Sequence, residues 1–136
     1  MRPAKAAPAK RPWRVGLGGR SRRTGRASEW VAALYLMAKG YRILGFRLKT
    51  RAGEIDILAR RGSVLAVVEV KRRSTLDAAL TALTSNQHAR LLAAGRSVAR
   101  GRRGLATLSL RIDTVALAPR RFPRHVRGVG PPGRPG

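Results

Sequence analysis

The apolar positions of this chain change period along its length, and each change marks an element. Ala27, Trp30, Val31, Leu34, Tyr35 and Ala38 recur at intervals of three and four, the spacing of an amphipathic helix, with Thr24 or Ser28 near its start and Gly40 at its end. Three short apolar-rich runs follow, Tyr41 to Leu48, Glu54 to Arg60 and Val64 to Val70, separated by Thr50-Arg51-Ala52-Gly53 and by Arg61-Gly62-Ser63. Runs of this length between turn residues predict a three-stranded antiparallel meander. Leu76, Leu80, Leu83, Gln87, Leu91, Ala94 and Val98 return to helical spacing, in one helix or in two pieces broken near Thr84 and Ser85, and Gly101 ends the run. Thr107 to Leu117, carrying Leu108, Leu110, Ile112 and Val115, reads as a last strand.

The order helix, three strands, helix, strand predicts an α/β fold, a mixed β-sheet flanked by helices, because a strand after a long helix can rejoin the sheet by a crossover. Trp30 and Tyr35 are expected in its core. Residues 1–24 and 119–136 are rich in Pro, Gly and Arg with little apolar periodicity, so each is expected to be a disordered basic tail around one domain at 25–118. No internal repeat is visible.

Charge narrows the choice of partners. The chain of 136 residues has 30 Lys and Arg against 6 Asp and Glu, a formal net charge of +24. All six acids lie within residues 27–118, where 16 of the basic residues leave a local balance of +10, so the positive charge is not confined to the tails. Coding bias toward Arg, Ala, Gly and Pro would inflate the charge without a function. Otherwise such a balance favours nucleic acid, through long-range attraction and counterion release at phosphates. A membrane is a poorer partner, since there is no strongly cationic amphipathic helix and no apolar run near the ~20 residues of a membrane span. A soluble, cytoplasmic protein is expected. The Arg-rich, acid-free start suits a transit peptide, but Pro3, Pro8, Pro12, Gly16, Gly18 and Gly19 spoil the helix such a segment needs. With no cysteine, disulfides and thiolate metal sites are excluded, and any metal must be held by oxygen or imidazole.

Against this background the acids stand out. Three of the six fall in Glu54-Ile55-Asp56 and Glu69-Val70-Lys71. Strand alternation sets Glu54 and Asp56 on one face with Ile55 and Ile57 on the other, and sets Glu69 with Lys71 opposite Val68 and Val70. A hairpin with an even-numbered loop would bring Asp56 and Glu69 to the same face; an odd loop or a bulge would not. Two carboxylates beside a lysine suit a hard divalent cation, which polarises a phosphoryl oxygen and lowers the pKa of water. Lys71 could orient or help deprotonate that water, or stabilise charge developing on the phosphate. The alternative is a solvated polar face with cross-strand ion pairs. The run Leu65-Ala66-Val67-Val68 reads as interior, where charge is costly unless paired or metal-bound, and this favours the site.

Gly25, Glu29, Ala33 and Leu36, then Gly53-Glu54-Ile55-Asp56-Ile57, then Val68-Glu69-Val70-Lys71 with Arg73, resemble the bacterial UPF0102 (YraN-like) family. That family is similar to the PD-(D/E)xK nucleases, among them restriction endonucleases and Holliday junction resolvases. The resemblance spans about residues 25 to 117 and implies a restriction-endonuclease-like fold. It implies Asp56 and Glu69 as catalytic ligands of Mg²⁺, with Mn²⁺ as substitute, Lys71 as the catalytic lysine, and Glu29 reaching toward the metal from the first helix. Glu29 is equally explained as a first-turn acid favoured by the helix dipole. Glu54 is a ligand or a neighbour that tunes the site, and Gln87 either points into it or is a satisfied core amide. Arg73, with Arg72 and Arg51, is expected to contact phosphate. The chain departs from the family pattern at Ser28, Gly45 and Gln87, where Gly, Asn and Lys are expected. His88 and His125 are lone histidines without metal-ligand spacing, and the aromatic residues are too scattered for a base-stacking platform.

Three functions follow. The first is a metal-dependent endonuclease acting on DNA rather than RNA, branched or otherwise structured DNA included, with a homodimer implied by its junction-resolving relatives. The second is a non-catalytic nucleic-acid-binding protein on the same fold, and the third is a small basic protein docked on a ribonucleoprotein.

Overall fold

The computed structural model describes residues 26–80 and 83–129. Helix α1 (residues 26–38) leads into β1 (Arg42–Lys49), β2 (Glu54–Arg61) and β3 (Val64–Arg72), followed by the short α2 (Leu76–Ala79), α3 (Ser85–Gly101), β4 (Ser109–Leu117) and β5 (Arg124–Val126). The five strands form one sheet in chain order, with every neighbouring pair antiparallel except β3 and β4, which run parallel. A five-stranded mixed sheet flanked by helices is the expected α/β class, consistent with a restriction-endonuclease-like fold. The second helical run is in two pieces, as its Thr84-Ser85 break allowed. Among the described residues no helix is long and apolar enough to cross a membrane. Gly25 and Thr24, and the expected tail at 1–24, lie outside the described residues.

Gly40 ends α1 where predicted. Its φ of +95° lets the chain turn left, and the amides of Gly40 and Tyr41 then donate to the carbonyls of Met37 and Leu36, closing the last turn in a Schellman motif. The face α1 buries differs from the one its spacing suggested. Ala32, Ala33 and Leu36 pack fully buried on the sheet, while Trp30 is 54% exposed and Leu34 59%. Trp30 is therefore not core; its ring rests on Phe46 at 5.0 Å between centroids, and Tyr35 is half-buried. Between Ala27 and Ala38 the helix carries one charged residue, so apolar periodicity offered two faces, and the tight space above Ala59, Ala66 and Val68 selected the one with small residues.

Two cores result. On the α1 side Ala32, Ala33 and Leu36 meet Ile57, Ala59, Ala66, Val68, Val115 and Leu117. On the α3 side Leu91 and Ala94 meet Leu58, Leu65, Val67 and Ile112. With both faces covered, β3 is buried from Leu65 to Val68, the interior strand its sequence implied. Gly95 permits this packing, because a Cβ there would come within 2.7 Å of Val67.

Strict alternation fails at one place. Ile57 joins the α1 side and Ile55 the α3 side, so the two do not share a face as expected. Their partners in β1 move with them, Phe46 beside Ile57 and Leu48 beside Ile55. The residue between those partners, Arg47, has a left-handed φ of 47°, which rolls the end of the β1–β2 ribbon over.

The segment 119–129 corrects the expectation of a tail at 119–136. Arg124–Val126 pair with Thr114–Ala116 of β4, and the fully buried Asp113 anchors the segment. Its Oδ2 accepts from His125 Nε2 and its Oδ1 from the Gly128 amide, while Arg111 donates to both oxygens at 2.8 Å. Lys39 Nζ lies 2.6 Å from His125 Nδ1 and has only protons to give, so Nε2 is the protonated nitrogen. Burial alone would raise the Asp113 carboxyl, but the bonds from His125, Arg111 and Gly128 hold it down to about 2.

Candidate active site

The β2–β3 turn has the even loop that the acid pairing required. Arg61 pairs with Val64 across Gly62-Ser63, and Gly62 takes a φ of +60° that the tight turn needs. The register runs to Ile57 opposite Val68 and ends there, with Asp56 and Glu69 the next residues on the two strands. There the backbone ladder gives way: the Val70 amide donates 2.8 Å to Asp56 Oδ2. The carboxylate occupies the gap opened where the ribbon rolls over.

Burial pushes the Asp56 carboxyl up from 3.8 to about 7, and the negative charges of Glu69, Glu29 and Glu54 add to the rise, offset in part by the Val70 bond. Burial also raises Glu69, while Lys71 and Arg73 pull it back. Lys71 itself is buried, two residues along β3 and on the same face as Glu69. These three residues thus form a half-buried unit of two repelling acids and one cation.

Glu54 and Glu69 line a cleft of about 170 Å³ together with Gly53, Leu83, Gln87, Arg90 and Leu91. Helix α3 supplies the far wall. Thr84 caps it by accepting from the Gln87 amide at 3.1 Å, and Gln87 Oε1 accepts in return from the Thr84 amide at 2.9 Å. Gln87 therefore has a partner in the capping box and also borders the cleft. Arg90, one turn on, was not singled out from the sequence, although its interval of three from Gln87 puts it on the same helix face.

Glu29 lies buried on α1 and forms an ion pair with Arg47. Its charge reaches Asp56, but its carboxylate is already engaged. Arg47 carries no signal in the periodicity, because its importance comes from a left-handed backbone that only the fold reveals. Arg73 lies beyond β3, its amide donating to Leu117 O and its guanidinium to Arg72 O. Arg72 and Arg51 are exposed, on the strand end and in the β1–β2 loop.

Among the described residues no group of three or more His, Cys, Asp or Glu stands close enough to enclose a metal. The donor set at Asp56 and Glu69 is two carboxylates and no imidazole, which does not suit zinc. It fits Mg²⁺, a cation commonly held by one or two carboxylates, with water and substrate phosphate completing its shell.

A model of the Uncharacterised protein family UPF0102 matches residues 28–117, a span that runs from α1 through β4 and takes in the whole acidic edge. The chain is 56% identical over 114 residues to a UPF0102 protein of Caulobacter sp. (strain K31), covering 84% of this chain and 82% of that one. A UPF0102 protein of Caulobacter vibrioides is 55% identical over 83% of this chain and 90% of its own. One from Parvibaculum lavamentivorans is 46% identical over 93% of this chain and 96% of its own, extending the similarity beyond the family span.

Proposed function

This chain belongs to the uncharacterised protein family UPF0102, and from that premise and its acidic edge we propose a metal-dependent endonuclease that hydrolyses phosphodiester bonds in DNA. The observation that supports this reading most is that the Val70 amide holds the Asp56 carboxylate beside Glu69 at the end of the β2–β3 ladder. Burying two like charges close together raises the free energy of the folded chain, and a divalent cation relieves that repulsion directly.

Asp56 and Glu69 would hold Mg²⁺, with Mn²⁺ able to replace it. The bound ion would supply positive charge to a phosphoryl oxygen and make a neighbouring water more acidic. The Val70 amide fixes one Asp56 oxygen and leaves the other for the cation. Lys71, held in the same half-buried edge, orients the attacking water and neutralises charge that builds on the phosphate. Glu54 and Gln87 border the cleft that the scissile phosphate would enter. Arg51, Arg72 and Arg73 bring positive charge to the approach, which a strand of phosphates needs in order to reach carboxylates that repel it.

The test is a cleavage panel over duplex, single-stranded and branched DNA and over RNA, with Mg²⁺ or Mn²⁺. Wild type should cut DNA only with the cation, and Asp56→Asn and Lys71→Ala should fall to background while keeping their circular dichroism. Wild-type protein inert on every substrate with either cation would refute the endonuclease. In that case unchanged nucleic-acid binding by Asp56→Asn would favour the non-catalytic reading on the same fold.

A further inference from the structure

The parallel strands β3 and β4 end side by side, Arg72 opposite Leu117. From there the chain leaves in two directions, through Arg73–Thr75 into α2 and through Ala118–Pro123 into β5. A crevice opens between diverging connections at the carboxyl ends of parallel strands, where open α/β sheets commonly bind ligands. Here it is a cleft of about 620 Å³ lined by Ser74, Thr75, Asp77, Arg120, Arg121 and Arg124 among others. Three guanidinium groups face one carboxylate. No ion pair involves any of these three arginines among the described residues, and all three are exposed. The Thr75 hydroxyl accepts from the Ala78 amide and keeps its own proton to donate.

The same loop carries Phe122, which at 89% is the most exposed of the described large hydrophobic residues and stands between Arg121 and Pro123. An aromatic ring placed in water costs solvation free energy and contributes nothing to either core. The loop presenting it is held at both ends. It leaves β4 at Leu117 on one side, and on the other β5 pairs with β4 and Asp113 binds His125 and Gly128. Pro123 fixes one further backbone angle. The ring is thus exposed on a restrained loop whose neighbouring residues Arg120, Arg121 and Arg124 line the basic cleft.

We propose that Ala118–Arg124 is a nucleic-acid-binding element, in which Arg120, Arg121 and Arg124 take backbone phosphates in the cleft and Phe122 stacks on an unstacked base. Phosphate contacts position a strand but do not tell single strands from duplex. A lone exposed ring does, because stacking needs a base face that continuous duplex hides. The element therefore directs the protein to single-stranded stretches and branch points. It lies at the end of the sheet that carries Glu69 and Lys71. Glu69 and Ser74 are five residues apart in sequence, so even a fully extended chain keeps them within about 17 Å, about five base steps of duplex. The inference rests on the nucleic-acid part of the function proposed above and is independent of cleavage.

The test is fluorescence anisotropy in EDTA with a labelled single-stranded oligonucleotide and the same sequence as blunt duplex. Phe122→Ala should weaken single-strand binding by about fivefold to a hundredfold and leave duplex binding within about twofold, and Phe122→Trp should restore it. Arg120→Gln/Arg121→Gln/Arg124→Gln should lower the slope of log K against log salt by about 2 to 3 on both probes. A second triple variant on exposed residues of α3 and of the turn after it, Arg96→Gln/Arg100→Gln/Arg103→Gln, removes the same charge and should leave the slope nearly unchanged. Equal effects of the two triple variants, or equal losses on both probes in Phe122→Ala, would overturn the proposal. Normal binding and cleavage by Phe122→Ala would sink the element and spare the endonuclease. Phe122-dependent binding by a wild type that does not cut would do the reverse, and a wild type that binds neither probe overturns both.

Discussion

Replacing Asp56 by Asn should stabilise this protein at alkaline pH and do much less in mild acid. The folded carboxyl titrates near 7 rather than 3.8, so between those values the folded chain keeps a proton that the unfolded chain has released. Stability from this group is complete below the unfolded value and is lost as pH rises through about 7. Over the whole window the loss is on the order of 4 kcal/mol at 1.36 kcal/mol per pH unit, given a carboxyl moved from 3.8 to about 7. About 3 kcal/mol of it falls between pH 5 and pH 8.5. Asn does not titrate, and its carbonyl oxygen can still accept from the Val70 amide. Urea unfolding of both proteins in EDTA at pH 5 and pH 8.5 measures the effect. The stability of the variant relative to wild type should rise by about 3 kcal/mol from the lower pH to the higher. Mg²⁺ at pH 8.5 should return much of the difference to wild type alone, since only wild type has the second carboxylate. A gap that does not change with pH would refute the buried, repelling pair.

Two further predictions concern stability. Gly95→Ala should cost about 1–3 kcal/mol by thermal melting, despite the better helix propensity of Ala, because its Cβ would press to 2.7 Å from Val67 and 2.9 Å from Leu110; a more stable variant would show the α3–sheet contact to be looser than described. Asp113→Ala should cost about 3–5 kcal/mol in urea, since it strands the Arg111 guanidinium and the buried His125 ring. The stability Asp113 contributes in wild type should be present above about pH 4 and lost as pH falls toward 2, and an Asp113→Ala protein with wild-type stability at neutral pH would exclude the anchoring role.

Much of the acidic edge was legible because it rests on local rules. An even two-residue loop is enough to fix the register as far as Ile57 opposite Val68, and the break near Thr84 and Ser85 is where α3 starts. Other features depend on partners distant in sequence. The Glu29 carboxylate was open to a metal in sequence, but Arg47 engages it, and neither residue announces the other across 18 positions. His125 looked alone because its partners, Lys39 and Asp113, are 86 and 12 residues away.

What the sequence determined by itself is therefore the order of elements, the interior character of β3, and the gathering of acids and Lys71 along one edge. Those follow from periods of two and 3.6 and from turn chemistry, which act over a few residues. The tertiary structure decided which side of α1 is buried, since an almost uncharged helix has no preferred face until a crowded sheet selects its alanines. It decided that the ribbon rolls over at Arg47 and leaves Asp56 in a gap. It also turned an Arg- and Pro-rich stretch into a strand, where the buried Asp113 carboxylate, bound by Arg111, gains further donors from His125 and Gly128.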